Sequence, residues 1–173
     1  MPDAVTELLR SPAAKAGLVV LTGACAVILA ALGFEHIGGY MPCPLCLQQR
    51  YAYYLAIPML LAAVVLLASN RRMAAVIFLL VAVAFVGNAG LGTYQAGAEW
   101  KFWDPPASCA APTTLPSFDL KADSFNRIPV SCGVASWRFL GLSFAGWNVV
   151  TSLFLAAGAA MAALKAVTPR PSG

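Results

Sequence analysis

The chain has 173 residues, 60% of them hydrophobic and only 10% charged, with a mean hydropathy of +0.77. A soluble domain is about half apolar and about a quarter charged, so composition excludes an ordinary soluble fold and points to a membrane protein. The net charge of +4 is spread along the chain as an orientation signal, so no nucleic-acid partner is expected.

Four apolar runs stand out, at about 16–34, 51–68, 73–93 and 144–164. Each is close to the roughly 20 residues that span a bilayer core about 30 Å thick. The expected fold is all-α: a four-transmembrane-helix bundle forming one integral membrane domain over 1–173. The loops at about 35–50 and 94–143 then lie on one side, and both termini lie on the other. Basic residues set the orientation. Arg10, Lys15, Arg71, Arg72, Lys165 and Arg170 stand against Asp3 and Glu7 on the terminal side, a net of +4. On the loop side, five basic residues balance five acidic ones. Both termini are therefore expected to be cytoplasmic.

Residues 1–15 read as a cytoplasmic lead, with Val5, Leu8 and Leu9 suggesting a surface-lying helix. The first apolar run exceeds the roughly 7–15 residues of a signal-peptide core, so a retained helix is expected. Cys25, within it, reads as a small buried apolar residue. The segment Glu35-His36-Ile37-Gly38-Gly39-Tyr40 reads as an outer turn, and His36, the single histidine, as a polar cap to a helix end. Cys43-Pro44-Leu45-Cys46 then feeds into helix two. Proline suits a first helical turn, and Cys43, Cys46 and Arg50 stand at i, i+3 and i+7, on one helical face. Tyr51, Tyr53 and Tyr54 read as an interfacial aromatic belt. Asn88, alone in an apolar run, is expected to bond a neighbouring helix.

The second outer loop is long, and such loops are usually functional. Asp104-Pro105-Pro106-Ala107-Ser108-Cys109 reads as an extended lead that leaves Cys109 exposed and mobile. Leu115, Phe118, Phe125 and Ile128 recur at helical offsets, which suggests an amphipathic segment on the membrane surface. Cys132 follows, then Trp137 and the entry to helix four.

Four of the five cysteines, Cys43, Cys46, Cys109 and Cys132, fall on the outer side, the pattern of disulfide chemistry. A C-x-x-C can be a staple, a metal site or a redox pair. Zinc takes four soft or imidazole ligands, and one histidine with a distant second pair does not suit it; no metal is expected. At a helix N-terminus with a cation nearby, a thiol gains thiolate character, which favours redox work. The second pair lies in a loop with little core of its own, so it is either structural or exchangeable. Arg50 is either a snorkelling anchor or a guanidinium that binds a carbonyl or developing anion beside Cys46. No flavin, haem or nucleotide motif is present, which leaves a membrane quinone as the simplest electron acceptor.

The chain resembles the DsbB family of bacterial inner-membrane disulfide-forming oxidases. The resemblance rests on Cys43-Pro-Leu-Cys46-Leu-Gln-Gln-Arg50, on Pro105-Pro106-Ala-Ser-Cys109, and on Ser131-Cys132 leading to Trp137-Arg-Phe-Leu-Gly-Leu-Ser143 and Trp147. It implies a dithiol:quinone oxidoreductase in the inner membrane, with its active site on the periplasmic face. A periplasmic thioredoxin-fold partner like DsbA would be oxidised by a Cys109–Cys132 disulfide through Cys109. Cys132 would then exchange with Cys43, and Cys46 would be released beside ubiquinone or menaquinone, near Arg50. Alternatives are a DsbB paralogue with a dedicated partner, or a membrane scaffold or metal-handling protein with structural disulfides. Three features depart from the family pattern: Ala96 and Gly97 stand where a histidine can follow helix three, Gln49 stands where an acidic residue can precede the arginine, and the intercysteine loop is slightly shorter.

Overall fold

The structure, a computed structural model, describes residues 11–106, 109 and 132–168. Among these residues four helices are long and apolar enough to cross a membrane: α1 Pro12–His36, α2 Pro44–Leu66, α3 Arg71–Glu99 and α4 Phe144–Val167. A two-stranded antiparallel hairpin, β1 Arg138–Phe139 and β2 Leu142–Ser143, precedes α4. The amphipathic segment expected over 115–128 lies outside the described residues, as do residues 1–10.

Each helix starts on a side-chain cap, which supplies an acceptor to an N–H that lacks a helical partner. Ser11 accepts from Ala14, Asn70 from Met73, and Ser143 from Gly146. In α2 the capping atom is the Cys43 sulfur, which accepts from the Cys46 N–H at 3.3 Å. Pro12 and Pro44 occupy the first helical turn, where the absent N–H costs nothing.

The helices outrun the apolar stretches that announce them. α2 begins at Pro44, seven residues before its apolar run, because the cap and proline start it there. α3 continues through Glu99, so 94–99 is helix and not loop. Its last turn is packed: a side chain at Gly97 would strike the Trp103 ring. Residues 12–15, expected in a separate surface lead, form the first turn of α1.

The four helices close into a ring. α3 packs most extensively on α4, α2 lies against α3, and α1 touches both α2 and α4. Lipid offers no hydrophobic drive for helix association, so close packing of small residues takes its place. Gly17 lets Phe78 and Val64 approach α1, and Gly158 admits Val20. Phe78, Phe85, Leu60 and Val81 fill the centre, whereas Phe154, Val19, Leu61 and Val83 face outward. At one end of the bundle, Arg71 at the start of α3 donates to the Ala166 and Lys165 carbonyls at the end of α4, satisfying acceptors that the helix leaves open.

Midway through the bundle lies a polar knot. Asn88 Nδ2 donates to Ser152 Oγ at 3.0 Å and to Asn148 Oδ1 at 3.2 Å, and Tyr53 OH donates to Asn148 Oδ1 at 2.8 Å. Asn88 thus bonds a neighbouring helix, as expected. Replacing Asn88 with Leu should lower the unfolding free energy by roughly 1 kcal/mol, the scale of interhelical hydrogen bonds in membranes. Detergent-induced unfolding of the purified protein measures this; unchanged stability would mean that the knot contributes nothing net.

Candidate active site

The site begins where α2 begins. With Cys43 as cap, Cys46 sits one turn along, and the two side chains meet: Cys43 donates to the Cys46 sulfur across 2.9 Å. Both are free thiols. Cys43 is buried and Cys46 half-buried. The hydrogen bond to Cys46, followed by burial, pushes the Cys43 thiol well above its ordinary pKa. Cys43 is thus the protonated partner and Cys46 the acceptor.

Two glutamines complete this thiol pair. Gln95 on α3 is 3% exposed. Its Nε2 donates to the Cys46 sulfur at 3.2 Å and to the Cys43 sulfur at 3.4 Å. Its Oε1 accepts from Gln49 Nε2 at 2.6 Å, and its Nε2 also reaches Glu99 Oε1 at 3.4 Å. Sequence reasoning stopped one residue away, at Ala96 and Gly97. The available signal was helical phase: Gln95 stands seven positions after Asn88, two turns along the same face of an apolar helix.

Arg50 lies on the same face of α2 as Cys46, as predicted, but it is not a free anchor. Its guanidinium is paired with Glu35 of α1, and the two side chains are only 12% and 23% exposed. Glu35, expected in a turn, belongs to the last turn of α1. His36 ends that helix and is exposed.

Cys46, Arg50, Gln95 and Glu99 line one end of a cavity of about 400 Å³. Its walls are aromatic. Trp137 stacks on Phe144 at 4.8 Å between ring centroids, and Phe34 meets Phe144 edge-on at 5.1 Å. The hairpin produces this wall. Its two-residue turn, Leu140-Gly141, has both residues at positive φ, the geometry that reverses an antiparallel pair most tightly. It folds Trp137 and Phe139 back over the start of α4, a feature that the sequence reading took as simple entry into the helix. Glu99 Oε2 is buried without a hydrogen-bond partner.

The second cysteine pair is joined as a Cys109–Cys132 disulfide. Cys109 was expected to be exposed and mobile; it is 3% exposed, and Cys132 is 1% exposed. The Pro105-Pro106 lead turns inward, with the Cys109 N–H donating to the Pro106 carbonyl at 2.8 Å. The disulfide forms one small apolar cluster with Cys43 and Leu45, against which Cys46 and Leu91 pack. All four predicted cysteines are thus brought together, two as a disulfide and two as thiols. Among the described residues, no group of three or more histidine, cysteine or acidic side chains is arranged to hold a metal ion.

The model of the family "Disulfide bond formation protein DsbB" matches residues 13–162. The chain belongs to the DsbB family. It is 33% identical to disulfide bond formation protein B of Marinobacter nauticus over 165 residues, covering 89% of this chain and 93% of that one. The corresponding protein of Aromatoleum aromaticum is 35% identical over 152 residues, covering 80% and 87%. That of an Azoarcus species is 32% identical over 136 residues, covering 73% and 78%. No solved structure matches. The protein is therefore a membrane disulfide-formation protein of the DsbB family, with the oxidoreductase chemistry that this family name denotes.

The Arg50–Glu35 pair generates a prediction. Removing one partner of a fully buried pair costs about 3–5 kcal/mol, and partial exposure reduces this. Glu35→Gln should lower the unfolding free energy by about 1–3 kcal/mol, and Glu35→Gln/Arg50→Gln should recover part of the loss. Strict additivity of the two single variants would show that the charges do not interact.

Proposed function

We propose that this protein oxidises a periplasmic DsbA-like dithiol protein and passes the electron pair through its two cysteine pairs to a membrane quinone. The observation that carries this reading is the single cluster formed by the Cys109–Cys132 disulfide, Cys43 and Cys46, with Cys46 opening on the cavity beside Arg50.

The exchanges balance at each step. A partner thiolate attacks the Cys109–Cys132 bond at Cys109, and Cys132 leaves as a thiolate. The partner's second thiolate resolves the mixed disulfide, so the partner leaves oxidised and Cys109 and Cys132 are reduced. Cys132 then attacks Cys43 of an oxidised inner pair, and Cys46 leaves with the bond's electrons. Attack of Cys109 on Cys132 restores the outer disulfide and leaves Cys43 and Cys46 as the dithiol. An outer disulfide beside an inner dithiol is the arrangement expected after that internal exchange. For a partner to reach Cys109, the disulfide must come away from Leu45 and Cys43.

The quinone, ubiquinone or menaquinone, supplies an acceptor for two electrons and two protons. The cavity suits it: flat aromatic walls match a planar ring, and the polar end at Cys46 offers guanidinium N–H groups. Only one Arg50 nitrogen is engaged by Glu35, which leaves other donors for an acceptor oxygen. Glu35 offsets the guanidinium charge, so the cavity favours a neutral ligand. The loop side, balanced in charge, faces the periplasm of the bacterial inner membrane, and the basic terminal side faces the cytoplasm.

The test is quinone reduction coupled to oxidation of a reduced thioredoxin-fold dithiol partner by the purified protein. Cys43→Ser and Cys46→Ser should each abolish turnover. Arg50→Gln should raise the quinone KM roughly tenfold, the loss of one charge-assisted hydrogen bond, and leave single-turnover exchange with Cys109–Cys132 intact. Sustained turnover by a Cys43→Ser/Cys46→Ser double variant would rule out the relay.

A further inference from the structure

We propose that Gln95 is a catalytic residue: its Nε2–H holds the negative charge on the Cys46 sulfur whenever that sulfur is released, and Gln49 and Glu99 position it to do so. The proposal adds a residue to the relay above, but its central claim concerns the sulfur alone and does not depend on which acceptor takes the electrons.

The geometry around the amide is specific. A glutamine side chain has one acceptor oxygen and one donor nitrogen, and which of them faces a neighbour is decided by the surrounding bonds. Here two contacts decide it in the same sense. Gln49 Nε2 is a donor and lies 2.6 Å from Oε1. Glu99 Oε1 is an acceptor and lies 3.4 Å from Nε2. With the oxygen held by Gln49 at 2.6 Å, and only distantly by the Cys46 thiol at 3.7 Å, and one N–H held by Glu99, the remaining N–H is directed at the sulfurs, nearer to Cys46 at 3.2 Å than to Cys43 at 3.4 Å. A flipped amide would set oxygen against a carboxylate and nitrogen against a donor.

The surroundings make that donor matter. Gln95 and Gln49 are 3% and 5% exposed, so water does not stabilise a thiolate from their side. Interior charges need hydrogen-bond partners, and a neutral amide provides one without adding a competing positive charge. Cys43, protonated, already donates to Cys46 from the other side. The Cys46 sulfur therefore accepts from two side-chain donors, Cys43 at 2.9 Å and Gln95 at 3.2 Å, whereas the Cys43 sulfur accepts from the α2 backbone at 3.3 Å and from Gln95 only at the longer 3.4 Å. The asymmetry makes Cys46 the leaving sulfur when the Cys43–Cys46 bond opens: the attacked Cys43 forms the new bond, and the electron pair departs with Cys46. The charged groups around the pair are Glu99 on α3, with Arg50 on α2 and its partner Glu35 on α1 farther along the same cavity.

The test uses the reduced inner pair of the purified full chain, free of quinone and partner. Alkylation by iodoacetamide at neutral pH is followed site by site with peptide mass spectrometry; its rate tracks thiolate content. Gln95→Met keeps the length and removes the donor, and Cys46 alkylation should fall roughly tenfold, within the range for one hydrogen bond to a charged group. Cys25, inside α1, should react at its wild-type rate, which reports an intact bundle. Gln95→His, which restores an N–H, should return the Cys46 rate to within about threefold of wild type. Gln49→Leu, which frees the amide to turn, should give an intermediate loss. A wild-type rate in Gln95→Met overturns the proposal, as does failure of Gln95→His to rescue, because the side chain would then act through its shape. A wild-type rate in Gln49→Leu overturns the positioning part. If the wild-type protein failed to reduce quinone and these rates behaved as stated, the relay would fall and the role of Gln95 at the sulfur would stand.

Discussion

Cys43 caps α2 with its own sulfur, and the phase of the whole site follows from that contact. A helix started at Pro44 carries Cys46, Gln49, Arg50 and Tyr53 into the interior at successive turns. A start several residues later, at the beginning of the apolar run, would leave both cysteines in an irregular loop with no fixed direction. The capping bond also commits the Cys43 sulfur to the backbone, and Gln95 donates at shorter range to Cys46 than to Cys43. The difference between two chemically identical thiols thus traces to which of them ends a helix.

Polar groups near the bilayer must find partners within the protein, since lipid offers none. This chain meets most of that constraint with pairs drawn from different helices, Arg50 with Glu35, Gln49 with Gln95, and Asn88 and Tyr53 with Asn148 and Ser152, while Glu99 Oε2 and Asn148 Nδ2 stay buried without a hydrogen-bond partner. Each pair ties together two helices that small residues have already brought close. The same contacts that hold the bundle therefore hold the site. The cavity beside Cys46 sits among three of these ties, which fixes its polar end, and the hairpin before α4 supplies the flat apolar walls.

The outer disulfide illustrates how burial and reactivity coexist. Cys109 and Cys132 are shielded from solvent yet packed directly on the inner pair. Burial of that kind keeps the two cysteine pairs adjacent and, in the proposed relay, keeps stray thiols away from them.

Much of the fold was legible in the sequence, because transmembrane length and apolarity are local properties that the bilayer imposes on each helix separately. Four spans, the two cysteine pairs, the in-phase Arg50 and the bonding role of Asn88 could all be read from composition and spacing. Helix ends were misjudged where the helix outlasts the apolar run, as in Pro44–Arg50 and 94–99, since capping and packing set those ends and hydropathy does not. What only the tertiary structure decided are contacts between residues far apart in the chain. Glu35 meets Arg50, Gln95 meets the two sulfurs across α2 and α3, Cys109 turns inward, and the Leu140-Gly141 turn lays Trp137 over Phe144. Helical phase assigns a residue to a face, but the neighbour opposite that face depends on how the helices close into a ring, and no single helix carries that information.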